Sequence, residues 1–217
     1  MKTRIFNLII LDESGSMESI RKQAVDSVNE TVQTIRKAQK QNDETEQFVS
    51  FVTFNDEMKT VSDCVPADEV KELSKKDYNP DGCTALYDAM GLSISHLRSK
   101  IEIGDRVLVT IVTDGYENAS RHFDVQNIQE LVSKLKKRDW VFVYIGANHD
   151  VEKVAMEMNI GNVASFTADA EGVEEMTSRV NTSRRELYDR MVSECFCAME
   201  EDGNFFAPTE KSKKDEK

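Results

Sequence analysis

Apolar positions along this chain follow two alternating rhythms. Near-continuous apolar runs occur at residues 5–11 (IFNLIIL), 48–54 (FVSFVTF), 106–113 (RVLVTIVT) and 140–147 (WVFVYIGA). Their length and richness in branched and aromatic side chains predict strands buried on both faces. Between them, apolar residues recur three or four apart. Ile20, Ala24, Val28, Val32 and Ile35 form one stripe within residues 19–41, and Leu86, Ala89, Met90, Ile94 and Leu97 form another within 84–99. That spacing predicts amphipathic helices, with further helices at 124–137, 150–158 and 172–191. Ser16 or Ser19 is the expected cap of the first helix, with Glu18 suited to its first turn. Asn55-Asp56 reads as a turn joining 48–54 to a strand at 58–65, a hairpin. The polar stretch 66–80 is expected to hold one short helix at 68–73, and a short strand is expected at 163–166.

Strands alternating with helices imply right-handed crossovers and a mostly parallel sheet covered on both faces. The predicted fold is a Rossmann-like α/β/α three-layer sandwich of six strands, one of them antiparallel through the hairpin. In such sheets ligands bind beyond the carboxyl ends of the strands. The chemistry is therefore sought just after Leu11, in the loop before Thr84, and just after Thr113.

At 217 residues the chain suits one domain, read as residues 1–195, followed by a charged tail at 207–217 expected to be disordered. The formal net charge of −12 argues against a nucleic-acid backbone or an anionic membrane surface as partner, and it favours cations. Cys64, Cys83, Cys195 and Cys197 show no disulfide or zinc-site spacing, which predicts free thiols in a reducing compartment. The basic start and first apolar run superficially resemble a leader, but Asn7 breaks the run and Asp12 ends it without a small-residue cleavage site. No stretch approaches a membrane span, and a cytoplasmic location is expected.

All three places named by the topology carry oxygen donors. Asp12-Glu13-Ser14-Gly15-Ser16 follows the first strand, Asp81-Gly82-Cys83-Thr84 leads into a helix, and Thr113-Asp114-Gly115 follows the most apolar strand. Carboxylates and hydroxyls are hard ligands, suited to Mg²⁺, Mn²⁺ or Ca²⁺ rather than zinc. Each element alone has an ordinary reading: a turn, a helix cap, an Asp-Gly turn. All three in order, each at a strand or loop end, make a metal site the better reading.

These residues resemble the von Willebrand factor A domain. DESGSM (Asp12 to Met17) matches its D-x-S-x-S element, Thr84 within GCTALYDAM its second loop, and Asp114 within TDGYEN its third. The likeness covers roughly residues 3–190 and is closest to small bacterial, cytoplasmic members; Cys83 stands where Gly is common. The resemblance implies a metal ion-dependent adhesion site formed by Asp12, Ser14, Ser16, Thr84 and Asp114. In it Ser14 and Ser16 bind the cation directly, Thr84 directly or through water, and the two aspartates often through bridging waters. It further implies a protein partner that supplies a Glu or Asp carboxylate to the cation, and no catalysis.

Two other functions are weighed. Asp12 is positioned like an aspartyl-phosphate nucleophile of a Mg²⁺-dependent phosphoryl-transfer enzyme, but Ser14 stands where such enzymes carry a second acid. A scaffold with a vestigial site is disfavoured because all five positions hold suitable oxygen donors. No nucleotide-binding glycine motif and no nucleophile elbow are present. His96, His122 and His149 are read as solvated or satisfied, with His122 alone placed near the presumed rim. Met156, Met158, Met176 and Met191 are read as packing residues.

Overall fold

The computed structural model describes residues 2–147, 150–193 and 195–206. Its elements are β1 (Thr3–Asp12), a 3₁₀ turn (Gly15–Ile20), α1 (Arg21–Gln41), β2 (Thr45–Phe54), β3 (Met58–Pro66), α2 (Leu86–Arg98), β4 (Arg106–Thr113), α3 (Val125–Lys136), β5 (Trp140–Gly146), α4 (Val151–Glu157), β6 (Asn162–Ser165) and α5 (Ala170–Met191). The six strands lie in the order β3-β2-β1-β4-β5-β6. All neighbours pair in parallel except β2 with β3, the expected hairpin. This is the predicted Rossmann-like sandwich.

Side-chain alternation sorts the core into two layers. Ile5, Ile9 and Leu11 of β1 pack with α1 and α5, whereas Phe6, Leu8 and Ile10 pack with α2, α3 and α4. Because both faces are covered, the central strands read as unbroken apolar runs. β1 and β4 are neighbours, with Leu11 opposite Val112, so Asp12 and Thr113 end side by side at the carboxyl rim.

Two local expectations fail for physical reasons. The helix expected at 68–73 is not formed. Val70 and Leu73 are buried in the α1 layer, and polar side chains of α1 take the backbone groups a helix would have used. Arg36 donates to the carbonyls of Ala67 and Val70, and Asn29 both donates to the carbonyl of Leu73 (3.0 Å) and accepts from its N–H (2.8 Å). Secondly, α1 starts at Arg21 without a side-chain cap, because the Ser16 hydroxyl donates to Asp114 instead and the Ser19 hydroxyl to the carbonyl of Ser16.

Residues 195–206 also join the fold. Ala198 and Phe205 are buried beside α1 and α5, Arg190 of α5 makes a forked ion pair with Glu201, and Lys136 pairs with Asp202 at 2.7 Å. The predicted tail at 207–217 and His149 lie outside the described residues. Among the described residues no helix is long and apolar enough to cross a membrane.

Candidate metal centre

Asp12 closes β1 and is fully buried. Its Oδ1 accepts the Ser14 N–H at 2.7 Å and its Oδ2 accepts the Thr113 hydroxyl at 2.6 Å. The Tyr78 hydroxyl donates to its carbonyl at 2.6 Å. The chain then turns, and the Ser14 and Ser16 hydroxyl oxygens come to 3.2 Å of each other. The Ser16 hydroxyl donates to Asp114 Oδ1 at 2.5 Å, joining the loop after β1 to the loop after β4. Thr84 completes the ring. A point 3.4 Å from Thr84 Oγ1 and 3.5 Å from Ser16 Oγ is where a methyl on Gly115 would stand. The hydroxyls of Thr84 and Ser16 thus border the space that Gly115 leaves open.

Hydrogen bonds to backbone groups tie the loops to one another, with Met17 buried in the core beneath them. The Gly15 N–H donates to the carbonyl of Gly82 at 3.2 Å. Gly82 itself adopts a left-handed φ of +76°, which favours glycine, and a Cβ there would meet Asp56 Oδ2 at 2.1 Å and displace that carboxylate. Asp56 uses that carboxylate to accept the Cys83 N–H at 2.9 Å. Asn118 grips Thr84 from both sides, accepting its N–H at 2.8 Å and donating its own N–H to its carbonyl at 3.0 Å. Glu117 accepts the N–H of Tyr87 at 3.0 Å, while Asp88 accepts three N–H groups, from Arg121, His122 and Phe123, each at 2.8 Å. Burial alone would push Asp88 up, but these three donors outweigh it and hold its carboxyl below the usual range.

The ordinary readings of the three elements can be checked one by one. Ser14 precedes the 3₁₀ turn without a side-chain capping bond. Thr84 does not cap α2, whose cap position is Ala85; the first-turn N–H groups of Tyr87 and Asp88 are accepted by Glu117 and Ser120 instead. The turn after β4 is closed by Thr113, whose hydroxyl accepts the Gly115 N–H at 3.2 Å, and Asp114 is not needed for it. The candidate hydroxyls of Ser14, Ser16 and Thr84 are therefore not consumed by the helix caps that would otherwise explain them, while Asp12 also serves the turn through the Ser14 N–H.

The electrostatics suit a cation. Burial raises the Asp12 carboxyl to about 6, against the lowering effect of its bonds from Thr113 and Ser14, and nearby Asp114 raises it further. Two buried carboxyl groups beside three hydroxyls form a pocket of negative potential with few direct charges. Oxygens on adjacent corners of an octahedron around Mg²⁺, with bonds of about 2.1 Å, stand about 3 Å apart. The Ser14–Ser16 separation of 3.2 Å fits that geometry. Among the described residues no three His, Cys, Asp or Glu side chains gather as a metal site, which fits a hydroxyl-dominated set and not a cysteine or histidine cage.

All five predicted residues thus lie at one rim of the sheet. Of the remaining candidates, His96 is exposed and sits 3.0 Å from Asp63, away from this rim, and Met156 is 68% exposed and does not pack in the core. Met158, Met176 and Met191 are buried. Sequence reasoning missed Asn118, Asp56, Tyr78 and Thr113 as supports. Asn55-Asp56 was legible only as a turn, and a tyrosine 66 residues from its acceptor carries no local signal.

A family model for the von Willebrand factor type A domain matches residues 8–182. No curated protein sequence matches the chain. Among solved structures, the chain is similar to a von Willebrand factor type A protein from Catenulispora acidiphila, with 16% identity, TM-score 0.58, and 82% of this chain and 42% of that one covered. It is also similar to proximal thread matrix protein 1 from the mussel byssus, solved with a zinc-occupied MIDAS motif (16% identity, TM-score 0.60, 85% and 46% covered). A third is the VWA domain of SpRpn10 (15% identity, TM-score 0.58, 82% and 94% covered). The chain spans less than half the length of the first two structures, and at these identities the likeness is one of fold. With the family match covering most of its length and the sheet in the order described, the chain belongs to the von Willebrand factor type A domain family.

Proposed function

We propose that this chain is a divalent-cation-dependent protein–protein interaction module that grips an acidic side chain of its partner. Domains of this family commonly mediate protein interactions. The observation that carries the reading is the convergence of Asp12, Ser14, Ser16, Thr84 and Asp114 from three separate loops, with the hydroxyls of Ser14, Ser16 and Thr84 not used as helix caps. Ser14, Ser16 and Thr84 would hold the ion, with Asp12 and Asp114 as the flanking anions. A bound cation with few direct carboxylates keeps a strong appetite for one more anionic oxygen. Mg²⁺ is the ion proposed, because the donors are hard oxygens; the zinc in the mussel protein's site makes zinc the competitor to test.

The proposed module is not an enzyme. Both Asp12 oxygens are engaged and the side chain is fully buried, which weighs against a phosphoryl-accepting nucleophile. The four cysteines are free, in line with a reducing compartment such as the bacterial cytoplasm.

The test is a thermal shift with Mg²⁺, Mn²⁺, Ca²⁺ and Zn²⁺, followed by cation-dependent capture of partners. At a hundred times Kd, a ligand that binds only the folded state adds about 2.7 kcal/mol, which should raise the Tm by several degrees. Ser14→Ala/Ser16→Ala should abolish both the shift and the capture. An equal shift in wild type and double variant would reject the site, and turnover of a phosphate ester lost in Asp12→Asn would reject the non-enzymatic reading.

A further inference from the structure

The segments that meet at the rim are residues 13–18, 55–57, 81–83 and 114–118, tied together by Gly15–Gly82, Asn55–Asp81, Cys83–Asp56 and Ser16–Asp114 hydrogen bonds. They contain no lysine or arginine, although the chain has 28. Their exposed charges are Glu18, Asp56, Glu57 and Asp81, all acidic. Of the basic side chains just beyond them, Arg21 donates to the carbonyls of Lys75 and Tyr78 and lies 3.9 Å from Glu18, and Lys59 donates to the carbonyl of Asp77, so that Asp56, Glu57 and Asp81 carry the acidic character of the rim. In the same rim Tyr116 stands two residues beyond Asp114, a residue 56% exposed. Its hydroxyl accepts the Asp150 N–H at 3.1 Å, which fixes the ring's outer end.

A rim of this kind opposes the approach of an acidic partner. Like charges set face to face cost several kcal/mol and slow association. Any protein carboxylate that reaches the cation must therefore arrive with positive charge around it. A fixed, half-open tyrosine ring is a good platform for a guanidinium or ammonium group.

We propose that the partner presents its acidic residue from a basic segment, with Arg or Lys side chains flanking the Glu or Asp, and that Tyr116 and the acidic rim read those flanks. This rests on the cation-dependent reading above and adds a sequence preference to it. The rim then acts in two ways: it concentrates cations near the ion site, and it selects among carboxylate-bearing partners by their surroundings.

The experiment uses short fluorescent peptides with a central Glu flanked by arginines, serines or glutamates, and a control with central Gln between arginines. Binding is measured by polarisation in millimolar Mg²⁺ and in EDTA. The expected order is arginine-flanked over serine-flanked by about tenfold, with the glutamate-flanked peptide weakest and the advantage shrinking as salt is raised. Tyr116→Ala and Glu57→Lys/Asp81→Lys should shrink that preference while keeping the Mg²⁺ thermal shift, which shows that they fold and keep the ion. Equal Mg²⁺-dependent binding of the arginine and serine peptides overturns the flank preference and leaves the interaction reading standing. Arginine-flanked Gln binding as well as Glu, or binding unchanged in EDTA, overturns both, as does the absence of binding by every peptide.

Discussion

The two faces of the sheet are built differently. On the α2–α3–α4 side, β1 contributes Phe6, Leu8 and Ile10 to a layer that is almost wholly apolar, around Trp140 and Phe142. On the α1–α5 side, the middle of the sheet carries Asn7, Gln47 and Thr110, and α5 inserts Arg184, which has no exposed surface. Arg184 donates to Thr110 Oγ1 at 2.8 Å and lies 3.5 Å from both Asn7 Oδ1 and the Tyr188 hydroxyl. Tyr188 donates to Asn7, and Asn7 donates to Gln47 at 2.9 Å. Arg184 Nε and Gln47 Nε2 have no partner among the described residues. One face is held by non-directional burial. The other depends on a polar network that fixes where α5 sits and tolerates little else.

Breaking each face in turn sharpens this contrast. Arg184→Ala should cost the most, about 3–5 kcal/mol, because it strands Thr110 and leaves a void under α5. Arg184→Met should restore most of that loss, since buried charge is weak evidence of stability. Urea melts of the pair decide it, and equal losses in both variants would mean that the polar contacts rather than the filled volume hold α5. On the apolar face, Ile111→Ala should cost about 2–5 kcal/mol with no recovery by any polar replacement.

A smaller effect is expected at the rim. Asp88→Asn should cost about 1–3 kcal/mol, by weakening three N–H bonds that fasten residues 121–123 to α2. The sign of its pH dependence follows from its lowered carboxyl. The stabilisation is fully present above the ordinary carboxylate range and is lost as pH falls through the depressed pKa of the folded state. Acid titration of wild type against Asp88→Asn should show curves converging only at strongly acid pH; convergence near neutrality would be the wrong sign.

The smallest stability effect should come from the ion site itself. Asp12→Asn removes a buried charge that folding holds at a raised pKa. The cation-free protein should therefore be no less stable than wild type, and more stable by up to about 2 kcal/mol. The Mg²⁺ thermal shift should disappear. A variant that loses cation-free stability while keeping its Mg²⁺ response would reverse the assignment of Asp12.

Much of this was legible beforehand because it is local. The runs at 5–11 and 106–113 announce strands by composition, the stripe of Ala24, Val28 and Val32 announces a helix by period, and Asn55-Asp56 announces a hairpin. The gathering of oxygen-bearing loops at one rim was also legible, since strand ends in a parallel sheet are where ligands gather, while the choice of Asp12, Ser14, Ser16, Thr84 and Asp114 among them came from the resemblance to a known family. The segment 68–73 was misread because its helical spacing is real, yet Arg36 and Asn29, over thirty residues away on another element, compete for its backbone. The cap expected of Ser16 or Ser19 failed likewise, as Ser16 bonds to an acid 98 positions later.

By itself, then, the sequence determined the order and kind of the elements, the two-sided burial of the sheet, and which side chains stood at its rim. These follow from periodicity and from topological rules that act over a few residues at a time. Only the tertiary structure decided which polar groups meet: Asn118 around Thr84, Tyr78 on Asp12, Arg184 beneath α5. Hydrogen bonds between distant residues need both distance and angle, and no pattern along a chain encodes either until the chain is folded.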